Sequence, residues 1–500
     1  MTKTGAEHLA QLRDGRAIYL DGQRVDDHVD HPAYRNSVRS AAALYDYQSE
    51  PARAETMTFV SPTSGERVNR AWQLPRDHSE LVARRVSMER WAEVSAGMLG
   101  RSPDQVSSCL VGMVAGIDVF REHDPDRAAA LLDYFSYARD RDLYLTYVLV
   151  NPQADRSKST GEQAQDLVAH IVDQDSQGIT ISGAKMLGTS TVLANELLVS
   201  SIQPLKPGEE KYAFTVVLPM NSPGLTLLSR RSYEAAATSV FDYPLSSRYD
   251  ENDAVVHFDQ VRVPWERVLV CGDTRMMRAQ FHGTPAQTLM GYQSQVRLMV
   301  KLRFLVGLAH RICETIGTIS FPQVQGTLGL LAAQASMVES LVYGMEVHGT
   351  EVGQCYVPSQ RLLQGAHVLT QDLYPKVVNT LRELSGGGVI MLPSSVHDFA
   401  NPRIASLIEA TQQSPASGST ERVKLFKLAW DAIGSEFGSR HTQYEMFYSG
   451  ASFVTQGNAF RSYDWDNAAT LVDSVLDSYP NPGSAGTKEP AAELEVKTHG

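Results

Sequence analysis

The sequence predicts an α+β chain in three successive parts: helical, then β, then helical again. Three observations carry that order. Apolar residues recur at about every 3.6 positions on both sides of a central stretch. Within that stretch, from about 165 to 270, short alternating runs are separated by turn residues, the spacing of a small barrel or sandwich. The alternation of strands and crossover helices that a Rossmann sheet needs is missing. The parts are placed at 1–150 (mainly helical), 151–270 (a middle β-barrel), 271–475 (a helical bundle) and 476–500 (a flexible tail rich in Pro, Gly, Ala and Glu).

Taken in order, Glu7 to Gly15 reads as helix, with Leu9, Ala10 and Leu12 apolar. Asp21-Gly22 is a strong turn pair after Ile18-Tyr19-Leu20 and predicts a hairpin. Ser79 to Met98 has helical spacing at Leu81, Val82, Val86, Met88 and Trp91, with Ser79 as the expected N-cap. Ala128 to Val150 is expected to continue as helix. Strands are expected at Leu167–Val172, Ile179–Ile181, Leu197–Ile202, Tyr212–Leu218, Leu225–Leu228 and Ala254–Val263. Turns are expected at Asp175-Ser176-Gln177-Gly178 and Ser182-Gly183. Helical periodicity returns over Val296–Thr318, Gly326–His348, Gln360–Leu384 and Glu421–Phe437, and the glycines after Ser385 stop one helix.

A chain of 500 residues buries enough surface to fold without disulfides or a structural metal. Lys+Arg 45 against Asp+Glu 57 gives a net charge of −12, which offers no footprint for nucleic acid or an anionic membrane. No apolar run near 20 residues stands out as a membrane span. The polar N-terminus MTKTGAEHLAQLRDGR does not read as a signal peptide. Cys109, Cys271, Cys313 and Cys355 are far apart, which argues against a disulfide scaffold or CxxC site. Together these features predict a soluble, cytoplasmic protein.

No GxGxxG, GxxxxGK[ST] or G-x-S-x-G motif is present, and no HxxxH or HxH pair, so no metal site is expected. Three segments stand out instead. Gly100-Arg101-Ser102-Pro103-Asp104-Gln105 suits a helix start, with Pro103 early and Asp104 in the first turn. Tyr147 to Arg156, YVLVNPQADR, crosses a domain boundary, a favoured place for a ligand cleft. Tyr444 to Gly450, YEMFYSG, is an aromatic helical stretch. Each also has a plainer reading: a helix connection, a linker, and an aromatic face packed into the core.

At these segments the chain resembles the 4-hydroxyphenylacetate 3-monooxygenase family, the oxygenase component of two-component FAD-dependent monooxygenases. The resemblance runs from about Gly5 to about Asn467. It is carried by LRDGRAIYLDGQRV, HPAYRNSVRSAAALYD, GRSPDQ, NPQADR, ISGAKMLGTS, FDYPLSSRYDEND, VRVPWERVLV, FPQVQGTLG, LPSSVHDFANP, VKLFKLAWDAIGSEFGSRHTQYE and YSG. It implies an acyl-CoA dehydrogenase-like fold, which agrees with the order read above. It also implies reduced FAD taken from a separate NAD(P)H-dependent flavin reductase. One oxygen atom of O2 would then pass, through a flavin hydroperoxide, to a phenol or another electron-rich aromatic substrate in a dry pocket. The family usually forms homotetramers, and the long apolar helices of this chain suit subunit contacts.

Residue by residue, the resemblance assigns catalytic and substrate roles to Arg101, Gln105 and Tyr147. Arg101 stands where the family has an arginine that polarises a carboxylate or phenolic oxygen. The FAD contacts fall on Asn151, Gln153, Ala154, Asp155, Arg156, Thr189, Ser449 and Gly450. Ser232 and Ala236 belong to a segment, Ser232–Ser239, that aligns with a loop covering the substrate, and Ser449 also faces substrate. Two positions depart from the family pattern. Gln105 replaces a tyrosine and Tyr147 replaces a histidine. The oxygen-activating half of the site is therefore kept and the substrate half rebuilt, toward a bulkier phenol or an indole- or pyrrole-type ring. The alternatives are an N-hydroxylase or decarboxylative hydroxylase of such a ring, and an acyl-CoA dehydrogenase-like flavoenzyme.

Overall fold

The structure, a computed structural model, describes residues 2–152, 154–164 and 167–481. The first part holds α1 (Gly5–Leu12), the hairpin β1 (Ala17–Leu20) and β2 (Gln23–Val25), α2 (Arg35–Ser49) and α3 (Ala54–Met57). It continues with the hairpin β3 (Thr58–Val60) and β4 (Arg67–Asn69), α4 (His78–Val94), α5 (Pro103–Ala115), α6 (Ile117–His123), α7 (Pro125–Asp140) and β5 (Leu145–Val148). The middle holds β6 (His170–Asp175), β7 (Gly178–Thr189), β8 (Glu196–Val199), β9 (Phe214–Pro219) and β10 (Leu225–Ser229). The short helices α8 (Tyr233–Ala236) and α9 (Ser246–Tyr249) precede β11 (Asp253–Pro264) and β12 (Val268–Cys271). The last part holds α10 (Thr274–His282), α11 (Ala286–Thr315), α12 (Pro322–Val347), the hairpin β13 (Thr350–Val352) and β14 (Cys355–Val357), and α13 (Gln360–Ser385). After it come α14 (Pro402–Thr411), α15 (Ser419–Ile433), α16 (Glu436–Phe447), α17 (Ser452–Ser462) and α18 (Trp465–Leu476).

The expected helix–sheet–helix order is present, but the expected middle β-barrel is not. Six strands run in the order β2-β1-β10-β11-β7-β6, and four in the order β12-β9-β8-β5. Among the described residues the strands close into no barrel, and one bridge, Val150 to Met186, links the two sheets. Alternation along β11, where Val256, Phe258, Val261 and Val263 are buried, reports one covered face. An open sheet and a barrel share that pattern; closure depends on edge pairing that no local pattern encodes. The hairpin near the N-terminus lies parallel to β10, so the first part of the chain supplies two strands to the larger sheet.

Other expectations also change. The helix expected over 128–150 stops at Asp140, and β5 forms next, parallel to β8. The run Leu143 to Val150 is short, apolar and rich in β-branched and aromatic residues. That composition suits a buried parallel strand, and periodicity alone cannot separate it from helix. Ser182-Gly183 makes no turn. β7 passes straight through, with Gly183 at φ +106°, where an added Cβ would lie 2.5 Å from the Val168 carbonyl oxygen. Asp77, not Ser79, caps α4, its carboxylate accepting from the Glu80 amide. The expected Glu421–Phe437 helix is two helices, broken at Gly434. The tail expected from 476 begins after α18, and its residues 482–500 lie outside the described residues.

Two cores hold the parts together. One joins α5, α7, α11, α13 and α15, and the other fills the space between the sheets. α5 sits at the junction, buried on nearly every face. By length and composition α12 alone among the described residues is apolar enough to cross a membrane, at mean hydropathy 1.2. That corrects the absence expected from sequence. Only 22% of its most apolar window is covered within the chain.

Candidate functional site

The site begins where α5 begins. Ser102 is the N-cap and Pro103 takes the first turn, where its missing N–H costs nothing. The Arg101 amide donates to Glu251 Oε1, and its carbonyl accepts from the Tyr144 hydroxyl. The guanidinium is thereby aimed between two aromatic rings, 4.4 Å from the centre of Tyr147 and 5.3 Å from that of Tyr444. The Tyr444 ring lies against Gly100, where an added Cβ would meet Cζ at 2.7 Å. Arg101 is 7% exposed, yet its Nη1 has no hydrogen-bond partner. Burial works against its charge, but Tyr147, Tyr444 and Glu251 outweigh that and raise its pKa.

The turn of α5 separates two rows of side chains. Asp104 accepts from the Ser102 hydroxyl and from Gln293 Nε2 at 3.0 Å, and Ser108 accepts from Arg84 at 3.0 Å. Burial pushes the Asp104 carboxyl up to about 6. Gln105 and Cys109 face Tyr147 instead. Gln105 is 1% exposed and its Oε1 has no partner. Burial raises the Tyr147 phenol above its ordinary pKa, and pushes Tyr444 and Cys109 each to about 12.

A buried ion network lies beside these residues and joins the middle part to the last. Arg440 on α16 donates to Glu251 Oε2 at 3.0 Å and to Asp253 Oδ1 at 2.7 Å. Asp253 also accepts from Thr189 Oγ1 at 2.6 Å and Arg230 Nε at 2.9 Å. Arg230 reaches Asp250 Oδ1 at 2.6 Å. Although burial opposes it, Arg440 and Arg230 hold the Asp253 carboxyl well below the usual carboxylate range. Apart from Thr189, sequence reasoning missed these residues. Their one signal is the acidic run Asp250-Glu251-Asn252-Asp253 at the start of β11, and nothing local pairs it with Arg440.

The expected site residues fall into four groups. Arg101, Gln105 and Tyr147 converge, with Tyr444 as a fourth member. Thr189 lies one ion pair away, its hydroxyl proton committed to Asp253. Ser449 and Gly450 follow α16, where Tyr448 stacks on Tyr444 at 5.5 Å; Ser449 Oγ is buried without a partner, and Gly450 has φ +113°. Asn151 is elsewhere and fully engaged: its Oδ1 accepts from the buried Lys185 at 2.6 Å and its amide donates to Gln203. Burial pulls the Lys185 ammonium down to about 7. Ala154 and Arg156 are exposed, and the half-buried Asp155 is turned onto Ser157 at 2.6 Å. Gln153 lies outside the described residues.

Ser232 and Ala236 sit at the start and the end of α8. Ser232 donates to the Ala33 carbonyl at 2.7 Å and caps α8. Glu234 accepts from the Asn36 and Ser37 amides at the start of α2. Ala236 lines a separate cleft of about 350 Å³ with Tyr233, Trp430 and Phe437. Among the described residues no group of three or more His, Cys, Asp or Glu is placed to hold a metal ion. Buried polar groups normally find partners. Arg101 Nη1, Gln105 Oε1, the Tyr444 hydroxyl and Ser449 Oγ are buried without partners and are available to a polar ligand.

Known proteins share this architecture. The family described as 4-hydroxyphenylacetate 3-hydroxylase matches through its N-terminal part at residues 4–270 and its C-terminal part at 277–477. The 4-hydroxyphenylacetate 3-monooxygenase oxygenase component of Geobacillus sp. (strain PA-9) is 36% identical over 454 residues, covering 90% of this chain and 91% of that protein. The 4-nitrophenol 2-monooxygenase oxygenase component of Rhodococcus sp is 36% identical over 473 residues, covering 89% and 86%. A solved oxygenase component of 4-hydroxyphenylacetate 3-monooxygenase, complexed with FAD and 4-hydroxyphenylacetate, superposes with a TM-score of 0.90 at 32% identity, covering 95% of this chain and 98% of that one.

Proposed function

The chain belongs to the 4-hydroxyphenylacetate 3-hydroxylase family, and from that membership we propose how its own residues serve the reaction. It is the oxygenase component of a two-component FAD-dependent monooxygenase that hydroxylates an aromatic ring, with reduced FAD delivered by a separate flavin reductase. Reduced FAD, when bound, supplies the two electrons that activate O2. The observation that carries the residue assignment is the buried Arg101 guanidinium, held between Tyr147 and Tyr444 with a free N–H.

Arg101, Gln105 and Tyr147 form the substrate end. Arg101 orients an oxygen of the substrate by a charge-assisted hydrogen bond. The Tyr147 and Tyr444 rings keep water from it. Thr189, Ser449 and Gly450 border the flavin, and Ala154, Asp155 and Arg156 reach its outer portion. Thr189 serves as an acceptor there, since its proton goes to Asp253. Asn151 acts indirectly, by anchoring the loop root to Lys185. The working unit is a cytoplasmic homotetramer. The apolar residues that α12 leaves exposed, Leu330 and Val347 among them, support an assembly, as the four free thiols support a reducing compartment.

Anaerobic titration with reduced FAD, followed by oxygen and a phenol panel, tests this reading. Saturable binding and a product one oxygen heavier are expected. A chain that fails to bind reduced FAD would sink it. Mass photometry checks the tetramer.

A further inference from the structure

Resting on the monooxygenase reading, the geometry points to a substrate that enters in its neutral form and carries an N–H donor on its ring, an arylamine or an N–H heteroaromatic. Gln105 on α5 is the residue that selects it. Its amide faces the Tyr147 hydroxyl, while its Oε1 is buried without a partner. An unmatched buried carbonyl oxygen costs about 1–3 kcal/mol, which a ligand donor recovers. An anionic phenolate oxygen placed there would meet acceptor against acceptor. A ring N–H meets its complement.

The surroundings agree. Releasing a proton from a phenol needs a group to receive it. The groups facing Arg101 and Tyr147 are Cys109, Tyr444, Glu251 and Arg440. Cys109 and Tyr444 keep their protons near neutrality. Both Glu251 oxygens are taken, one by the Arg101 amide and Ser190, the other by Arg440. Asp104 lies on the other row of α5, bonded to Ser102 and Gln293. The nitrogen of an arylamine or pyrrole-type ring enriches that ring without losing a proton. The overall step balances as an aromatic C–H, O2 and reduced FAD giving an aromatic C–OH, water and oxidised FAD.

The test compares matched rings on the full chain with reduced FAD and oxygen: 4-aminophenylacetate and indole-3-acetate against 4-hydroxyphenylacetate. Products are read by mass spectrometry, and reduced-FAD oxidation and peroxide are read in parallel. At least one N–H substrate is expected to be hydroxylated with kcat/KM at least about ten-fold above the phenol. Gln105→Leu is expected to lose about ten-fold more on the N–H substrate than on the phenol, and Gln105→Glu, which keeps an acceptor oxygen, to retain its preference. Reduced-FAD affinity, measured for each variant, shows that the fold is intact. Preference for the phenol, equal losses on both rings in Gln105→Leu, or peroxide alone from every ring overturns the inference and leaves the flavin reading standing. Failure to bind or oxidise reduced FAD overturns both.

Discussion

Arg101 and Arg297 lie 5.3 and 5.5 Å from the same Tyr444 ring, and both are buried. They are treated in opposite ways. Arg297 is bidentate to Glu445, at 2.8 Å to each oxygen, and Lys301 adds a third bond at 2.9 Å. Arg101 offers Nη1 to nothing, whereas Arg297 leaves only its Nε without a partner. One charge is spent on the scaffold, while the other is kept ready for a ligand. Charge burial alone therefore does not mark a site.

The comparison breaks most forcefully at Glu445. Glu445→Ala strands two buried cations, and a loss of about 3–5 kcal/mol in unfolding free energy is expected. Denaturant unfolding checks it. Burial opposes the Glu445 charge, but Arg297 and Lys301 hold the carboxyl at about 2, below its ordinary 4.5. Its contribution is complete above pH 4.5 and fades as pH falls toward 2. The wild type should lose this stability across that acid window, and the variant should not.

Arg101→Met should do the reverse. Losing an unpartnered cation changes stability by less than about 1 kcal/mol, because its removal leaves no carboxylate stranded. Turnover should fall about 10- to 100-fold in kcat/KM, the worth of a hydrogen bond to a charged group. Steady-state kinetics beside thermal unfolding separates the two. A variant as unstable as Glu445→Ala would mean that Arg101 is scaffold too.

The same contrast explains what the sequence revealed. The start of α5 was legible because Ser102-Pro103 is a local signal, and the hairpin at Asp21-Gly22 was legible for the same reason. Arg101, Gln105 and Tyr147 were reached through resemblance, and the fold brings them together. The Arg440–Asp253–Thr189 network was hidden, because Asp253 and Arg440 are 187 residues apart in the chain. The open strand order was hidden for the same reason, since pairing across a sheet is not written in any window of ten residues. At Asn151 and Ser232 the fold adds what the sequence did not show. Each has the expected residue type at the expected place, but its polar atoms are already committed to neighbours.

A smaller effect is expected at Gly100. Its missing side chain lets the Tyr444 ring lie beside Arg101, and Gly100→Ala puts a methyl about 2.7 Å from that ring. Overpacking of this kind costs about 1–3 kcal/mol. It should also displace Tyr444 from the Arg101 side, so kcat/KM should fall with stability. If only stability falls, Tyr444 is not part of the pocket.

The smallest effect concerns Asp104, which sits beside the pocket but behaves like neither arginine. It is a buried acid with neutral partners, Ser102 and Gln293, and burial raises its carboxyl to about 6 from 3.8. A raised folded pKa contributes stability that is complete below pH 3.8 and lost as pH rises through about 6. Above that pH the folded chain carries a desolvated carboxylate with no cation bonded to it. Asp104→Asn removes the ionisation and keeps an acceptor oxygen for both donors. The variant should therefore gain of order 1 kcal/mol over the wild type at pH 8 and lose that advantage below pH 4. Unfolding curves at the two pH values check the sign. A gain that does not depend on pH would show that Asp104 is not ionised in the folded chain.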